Sequence, residues 1–372
     1  MEQISELGTI LNGFLSLNKA RLTCLTRIIV ALFIVRTVNL REVAVAFNSK
    51  ADIDSRYKRI KRFFAQIKLN PDAIACWIFG LFVEEGKKFY LTIDRTNWFW
   101  GKAKINILTL GIAYEGIAIP IMWKLLDKAG NATAKEHRDI LAKFIKLLGK
   151  ERVGGVLADR EFANGFLFHW LNKFNIPFYI RIKDNTNVWV GGKKHCKLKA
   201  LFSDLPVKKQ RAFSMSIELF GETVFVAGSR SERGELMVVV TNQDPRQAIA
   251  IYLRRWEIEM LFQNLKGRGF RFEDTHLVFL ERIDTLMAIL AIGFCWAHKV
   301  GQWRAIKKPI PLNQYKGLYS SCRPQFSYFR YGFDFIRDLL LNFPARKMAF
   351  KSCLSTLSLP INKTNRQIGG SL

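Results

Sequence analysis

Four residues in the centre of the chain, Tyr252, Arg255, Glu259 and Lys266, stand at relative positions 0, 3, 7 and 14 within YLRRWEIEMLFQNLK. At about 100° per residue of α-helix they fall within a sector of roughly 60°, which would place all four on one face. An acid flanked by two cations and a phenol suits a phosphate-bearing ligand. A solvated helix face with Arg255 and Glu259 paired at i,i+4 accounts for the same pattern.

Two aspartates add weight to the stripe. Asp94 closes FYLTID and Asp159 closes VGGVLAD; both segments are expected to be strands ending at the acid, and carboxylates at strand ends commonly project into a shared crevice. Helix capping or turn formation is the ordinary work of Asp at such places. Together with Glu259 the two could hold a pair of Mg2+ or Mn2+ ions, since these hard cations prefer oxygen ligands. Two ions ~3.5–4 Å apart stabilise both the attacking and the leaving oxygen of an in-line phosphoryl displacement, with no nucleophilic side chain required. Thr96 and Arg160, beside the aspartates, are either supporting or nucleic-acid contacts or simple turn residues. Lys183 is a weaker candidate of the same kind.

The spacing of Tyr252, Arg255, Glu259 and Lys266, preceded by LTIDRT and LADREF, resembles the Y-R-E-K signature of DDE transposases in the insertion-sequence family usually numbered four. The resemblance runs from about Lys87 to His298. It implies an α/β fold with a ribonuclease H-like mixed-sheet catalytic core, interrupted before its last acid-bearing helix by a β-strand insertion. Asp94 would bridge two ions, Mg2+ or Mn2+, while Asp159 and Glu259 would each complete one. The partner implied is double-stranded DNA, as terminal inverted repeats and as target. The ends would be cleaved through a hairpin and the 3′-hydroxyls joined to target DNA by a homodimer in the synaptic complex. Tyr252, Arg255, Lys266 and Arg160 are the expected DNA-binding residues, and Trp189, inside the insertion, is an aromatic candidate for gripping a flipped base. A ribonuclease H-like nuclease, or a domesticated DNA-binding protein without strand transfer, remains the alternative; the Tyr-Arg-Glu-Lys helix and the insertion favour transposition.

The elements that must position these groups follow from patterning. Residues 1–80 are expected to be helical and DNA-binding: Arg21 to Val38, Leu40 to Phe47 and Ser55 to Ile67 carry few breakers, and SRYKRIKRFFAQIK interleaves cations with aromatics. The catalytic domain is expected over 81–184 and 241–300. Its FYLTID strand precedes Ile105 to Ala113 and Ile117 to Leu125, joined by Glu115-Gly116, as an antiparallel meander. A helix from Thr133 to Leu148 with a Thr133/Glu136 capping box comes next. The strand ending at Asp159, a helix over Gly165 to Phe174 and a strand from Pro177 to Lys183 complete this half. Residues 185–240 hold short β-like pieces and read as an inserted β-subdomain. One helix over Gln247 to Lys266 carries the stripe. Residues 301–372 form a mostly helical, basic C-terminal region, a candidate for dimerisation, with a helical piece near Phe333 to Leu341 and a loose final dozen residues.

Composition limits the partners. The 372 residues carry 58 Lys and Arg against 31 Asp and Glu, a net charge of +27, which draws polyanions. The apolar stretches Ile28 to Val35 and Leu286 to Ala297 fall short of the ~20 residues of a membrane span and read as buried core helices. No signal-peptide pattern opens the chain, so a cytoplasmic, nucleoid-associated location is expected. Six cysteines lie far apart without a C-x-x-C pair, and His137, His169, His276 and His298 show no ligand spacing, which speaks against structural zinc. Trp98, Trp100, Phe294 and Trp296 are expected to be core or hinge packing. No phosphate-binding glycine motif is present.

Overall fold

The computed structural model describes residues 2–192, 194–314 and 322–358. They form two compact units. One comprises the chain up to Val83, Gly267–His276 and the chain from Thr285 onward; the other comprises Glu84–Lys266 and Leu277–Asp284.

The first unit is helical. α1 (Glu2–Asn12), α2 (Lys19–Val35), α3 (Leu40–Ala46), α4 (Ile53–Gln66) and α5 (Pro71–Phe82) open the chain, and Asn18, Asn39, Asp52 and Asn70 cap the N-termini of the last four with side-chain oxygens. In α4 the apolar Ile60, Phe63 and Phe64 are buried while Lys58, Lys61 and Arg62 stay exposed, so the basic segment divides as an amphipathic helix should.

In the second unit, β1 (Phe89–Trp100), β2 (Ala103–Tyr114) and β3 (Ile117–Leu125) form an antiparallel meander. Glu115 and Gly116 turn the β2–β3 hairpin, both at positive φ (49° and 87°), as a two-residue turn of the primed kind requires. α6 (Ala134–Leu148) begins at a capping box in which Thr133 and Glu136 satisfy each other's backbone. β4 (Val153–Ala158) lies parallel to β1; α7 (Gly165–Lys173) leads to β5 (Phe178–Ile182), parallel to β4. The resulting order, 3-2-1-4-5, is that of a ribonuclease H-like mixed sheet.

β6 (Asn187–Val190), β7 (Lys194–Lys197), β8 (Gln210–Ala212), β9 (Ile217–Leu219), β10 (Glu222–Arg230) and β11 (Leu236–Thr241) follow. They extend the same sheet, because β11 pairs antiparallel with β5 and β10 with β11. The fold is therefore mixed α/β, with a large mixed sheet and helical N- and C-terminal regions.

Three expectations are corrected. β1 does not end at Asp94 but runs six residues further, since its register with β2 is unbroken to Trp100 opposite Ala103. The stripe does not ride on one helix: α8 (Ala248–Leu253) and α9 (Glu257–Leu265) are separated by a 3-10 turn over Arg254–Trp256, and Lys266 leaves the helix at ψ −128°. The apolar stretch around Leu286 to Ala297 is a buried core helix as expected but a longer one, the middle of α10 (Leu280–Lys307). Among the described residues α10 alone is long and apolar enough to cross a membrane, but 89% of its apolar window is buried inside the protein. α11 (Tyr328–Leu341) and α12 (Phe343–Ser355) end the described chain; the loose final dozen expected from sequence lies outside the described residues.

Candidate active site

Asp94 sits in the middle of β1, where unbroken pairing with Thr109 of β2 fixes its direction. Its Oδ1 accepts the Arg95 backbone N–H at 2.7 Å. Burial pushes its pKa up from 3.8 to about 6; the Arg95 N–H and Arg255 pull it down, and Glu161 and Asp159 push it further up. Asp159 follows the last residue of β4 and caps the 3-10 turn Arg160–Phe162, accepting the Arg160 N–H at 2.7 Å. The Arg181 guanidinium on β5 stands 3.9 Å from Asp159 Oδ1.

Glu259 arrives from α9, and Arg255 joins it to β1. Arg255 Nη2 donates to Glu259 Oε1 at 2.8 Å, Nη1 to Asp94 Oδ2 at 3.3 Å, and Nε to the Tyr252 hydroxyl at 3.2 Å. Arg255 is only 4% exposed. Burial weighs against its charge, yet Tyr252, Glu259, Asp159 and Asp94 together hold its pKa above the ordinary arginine value. Tyr252 is 1% exposed, packed in a core cluster with Ala113, Leu157, Tyr179 and Val239, and burial raises its phenol pKa.

The 3-10 turn is what makes this arrangement. It is pinned by Arg254, whose Nη2 donates to the Ala113 carbonyl at 2.9 Å, whose Nε donates to Glu257 Oε1 at 3.2 Å, and whose guanidinium lies 5.0 Å from the Tyr90 ring. The stripe is therefore no solvated face, the simpler explanation of the spacing. Tyr252, Arg255 and Glu259 are brought together with Asp94. Lys266 instead places its ammonium 5.1 Å from the ring of Trp98, four residues along β1 from Asp94 and on the same face.

Asp94, Asn131, Asp159, Arg160, Glu161 and Lys183 line an open cleft of ≈ 730 Å³. Arg160 and Lys183 thus share this cleft with Asp94 and Asp159. Thr96 is buried. Trp189 on β6 is 46% exposed with its ring 4.9 Å from His195; the strand order puts β6 five places from β4, so Trp189 is not gathered with the acids. Trp98, Phe294 and Trp296 are buried as expected, whereas Trp100 is 38% exposed.

Sequence reasoning passed over Arg95, Asn131, Glu161 and Arg181. Arg95 spends its whole donor fork: Nε and Nη2 go to the two oxygens of Glu161 at 2.7 and 2.9 Å, Nη2 also to Asn131 at 2.8 Å, and Nη1 to the Gly130 carbonyl at 2.8 Å and to Asn106 at 3.2 Å. The residue after Asp94 thereby clamps the residue two beyond Asp159. Glu161 in DREF and Arg181 in the apolar strand FYIRI were visible as charges in strand-edge context, but nothing in their spacing named each partner.

Carboxylate oxygens around one buried positive charge are the donor set a hard divalent cation requires. Among the described residues no three His, Cys, Asp or Glu side chains already converge as a metal cage, and the Arg255 guanidinium bonds both Asp94 and Glu259. The chemistry of the residues fits a divalent ion.

Asp94 on β1 and Asp159 after β4 thus line one cleft, and Arg255 ties Glu259 on α9 to Asp94. The family model described as "Transposase DDE domain" matches residues 90–296, more than half of the chain. The chain belongs to that family, whose members act in transposition and depend on divalent metal. No curated protein matches the chain closely. Among solved structures, a piggyBac transposase synaptic complex with hairpin DNA is similar at a TM-score of 0.46 and 10% identity, covering 98% of this chain and 84% of that one.

Proposed function

We propose that this member of the family is a DNA transposase of the insertion-sequence type usually numbered four, carrying the Y-R-E-K signature as Tyr252, Arg255, Glu259 and Lys266. It binds terminal inverted repeats, cleaves them by two-metal phosphodiester hydrolysis through a hairpin, and joins the 3′-hydroxyl ends to target DNA as a homodimer. The observation that carries this reading is the Arg255 guanidinium, which gathers Tyr252, Asp94 and Glu259 around one buried charge beside Asp159.

Asp94, Asp159 and Glu259 are the residues that would hold two Mg2+ or Mn2+ ions. When bound, such ions lower the pKa of water and neutralise charge on the transferring phosphoryl group. Asp94 takes up its role as a ligand only when ionised, which burial delays to about pH 6. Arg160 and Lys183, at the cleft wall, hold phosphate oxygens of the scissile strand. Arg255, buried and bonded to Tyr252, Asp94 and Glu259, acts on the DNA end through the acids it positions, not by direct contact, and Lys266 holds a phosphate of the backbone. Exposed Lys58, Lys61 and Arg62 on α4 suit the phosphates of a duplex bound by residues 1–80, the β-strands of 185–240 present Trp189 to a displaced base, and the region from residue 301 supplies the dimer contact.

The test is cleavage of a duplex carrying the DNA that flanks the coding region. Asp94→Asn, Asp159→Asn and Glu259→Gln are each expected to abolish Mg2+-dependent cleavage while leaving binding of the same duplex intact. Wild-type cutting by any one of them removes that residue from the site, and cutting without strand joining by the unmodified protein leaves a nuclease.

A further inference from the structure

β1 and β2 are longer than the sheet they belong to. β4 pairs with β1 only from Phe89 to Ile93, and β3 pairs with β2 only from Ile107 to Tyr114. Beyond these limits the pairs Asn97–Asn106, Trp98–Ile105, Phe99–Lys104 and Trp100–Ala103 form a two-stranded ribbon with no further strand on either side among the described residues. Its base is held firmly. Asn106 Nδ2 donates to the carbonyls of Lys128 at 3.1 Å and Gly130 at 2.9 Å, the Leu126 N–H donates to the Asn106 carbonyl at 2.8 Å, and Trp98 lies beneath Lys266.

The tip is exposed. Phe99 is 62% exposed and Trp100 38%, Lys102 and Lys104 are exposed, and Gly101 turns at φ 54° into open space. Exposing a ring as large as that of Phe99 to water on a two-stranded ribbon costs free energy. Between Arg95 and Lys104 the chain has three cations and no acid. The unbroken register puts Asp94, Thr96, Trp98 and Trp100 on one face of β1, so the tip continues the line that starts at the acid. Six residues of strand span about 20 Å, the length of about six nucleotide steps of one DNA strand.

We infer that the Asn97–Asn106 ribbon is a DNA-binding finger that enters the major groove of duplex DNA about six base pairs from the phosphodiester at the acids. A two-stranded ribbon has the cross-section that the major groove admits. Lys102 and Lys104 bind phosphates on the groove walls, Trp100 makes the apolar contact with base edges on the face that carries Asp94, and Phe99, on the opposite face beside Lys104, packs against the sugar-phosphate wall. This rests on the reading of the chain as a DNA-acting transposase and adds to it a contact beyond those of Arg160, Lys183 and Lys266. A second copy of this chain is the competing occupant of so exposed a pair of rings.

The experiment uses the full chain and an end-labelled duplex of about 30 base pairs of arbitrary sequence, read by fluorescence anisotropy across a salt titration. Lys102→Ala with Lys104→Ala should reduce the slope of log K against log salt by about 2, one unit for each lost phosphate contact. Lys87→Ala with Lys88→Ala, which removes equal charge from the opposite end of β1, should leave the slope unchanged. Phe99→Ser with Trp100→Ser should weaken binding about tenfold with the slope intact. If that pair fails to fold, the lysine variant decides alone. Identical slopes for wild type and the Lys102/Lys104 variant would overturn the finger while leaving the transposase reading in place; no duplex binding by the wild type would overturn that reading instead. Ring substitution that converts a dimer to a monomer in sedimentation, with DNA affinity unchanged, would assign the tip to self-association and overturn the inference.

Discussion

Arg255 is the residue on which the acidic site turns. It is buried, its three nitrogens face Tyr252, Asp94 and Glu259, and it stands between two acids that a divalent ion would also draw together. Two positive charges compete for the same oxygens. Removing the guanidinium therefore has opposite effects on the two states of the protein. With no divalent ion present, Arg255→Met leaves Asp94 and Glu259 without their cation and should cost about 3 kcal/mol, the low end for a broken buried pair because Glu259 is 36% exposed. Partial protonation of Asp94, whose pKa already lies near 6, softens the loss at acidic pH. Added Mn2+ should then raise the melting temperature of Arg255→Met more than that of the wild type, and calorimetric titration should show tighter binding to the variant. Weaker Mn2+ binding in the variant would mean that Arg255 arranges the acids for the ion instead of standing in its place.

Among the elements, the sheet was legible and the break in the stripe was not. The β-branched runs, the Glu115-Gly116 turn and the Thr133/Glu136 box are local signals; the turn and the box stand where sequence placed them, and the runs form strands, the first of them six residues longer than expected. The 3-10 turn at Arg254–Trp256 depends on Arg254 being gripped by its neighbour Glu257 and by Ala113 and Tyr90, the last two in segments far away in the chain that no helical wheel contains. The spacing named three residues that do meet, Tyr252, Arg255 and Glu259, while misjudging why: they meet around a guanidinium in the core, not along a wet face. The Arg95–Glu161 clamp was hidden for the same reason, since a bidentate pair 66 residues apart leaves no periodic trace. α6 offers a test at this scale. His137 on its buried face lies 4.2 Å from the ring of Phe162, in the turn that follows Asp159, and burial lowers its pKa to about 4 from 6.5. A folded-state pKa below the unfolded value favours the neutral ring, so this stability is present above about pH 6.5 and is lost as pH falls towards 4. His137→Phe keeps an aromatic beside Phe162 and removes the titration. Urea unfolding should show the wild type losing about 2–3 kcal/mol more than the variant between about pH 7.5 and about pH 4.5. Equal losses would show that His137 is already solvated before the unit unfolds.

For the molecule as a whole, a net charge of +27 opposes close approach of two copies, so a dimer must combine an apolar contact with an anion that neutralises the repulsion, and DNA supplies that anion. The C-terminal region cannot be assayed for such a contact by deletion. Phe329, Phe333, Ile336, Leu339 and Cys353 are completely buried. Trp296 donates to the Cys353 carbonyl at 3.2 Å, Arg337 to the Ile34 carbonyl at 3.1 Å, and the Phe33 and Phe333 rings lie 4.9 Å apart. A chain ending near Trp303 would open the core of the helical unit, and its failure to pair DNA ends would report unfolding. Ile306, Leu341 and Met348 are different: they are 85%, 56% and 76% exposed, so changing them spares the core. Ile306→Lys, Leu341→Lys and Met348→Lys combined should leave circular dichroism and single-duplex binding unchanged. The same variant should lose the two-protein, two-duplex species that the wild type forms in sedimentation with end-bearing DNA. If that species persists at wild-type abundance, the dimer contact lies elsewhere, and the exposed tip of the β1–β2 ribbon becomes the next surface to change.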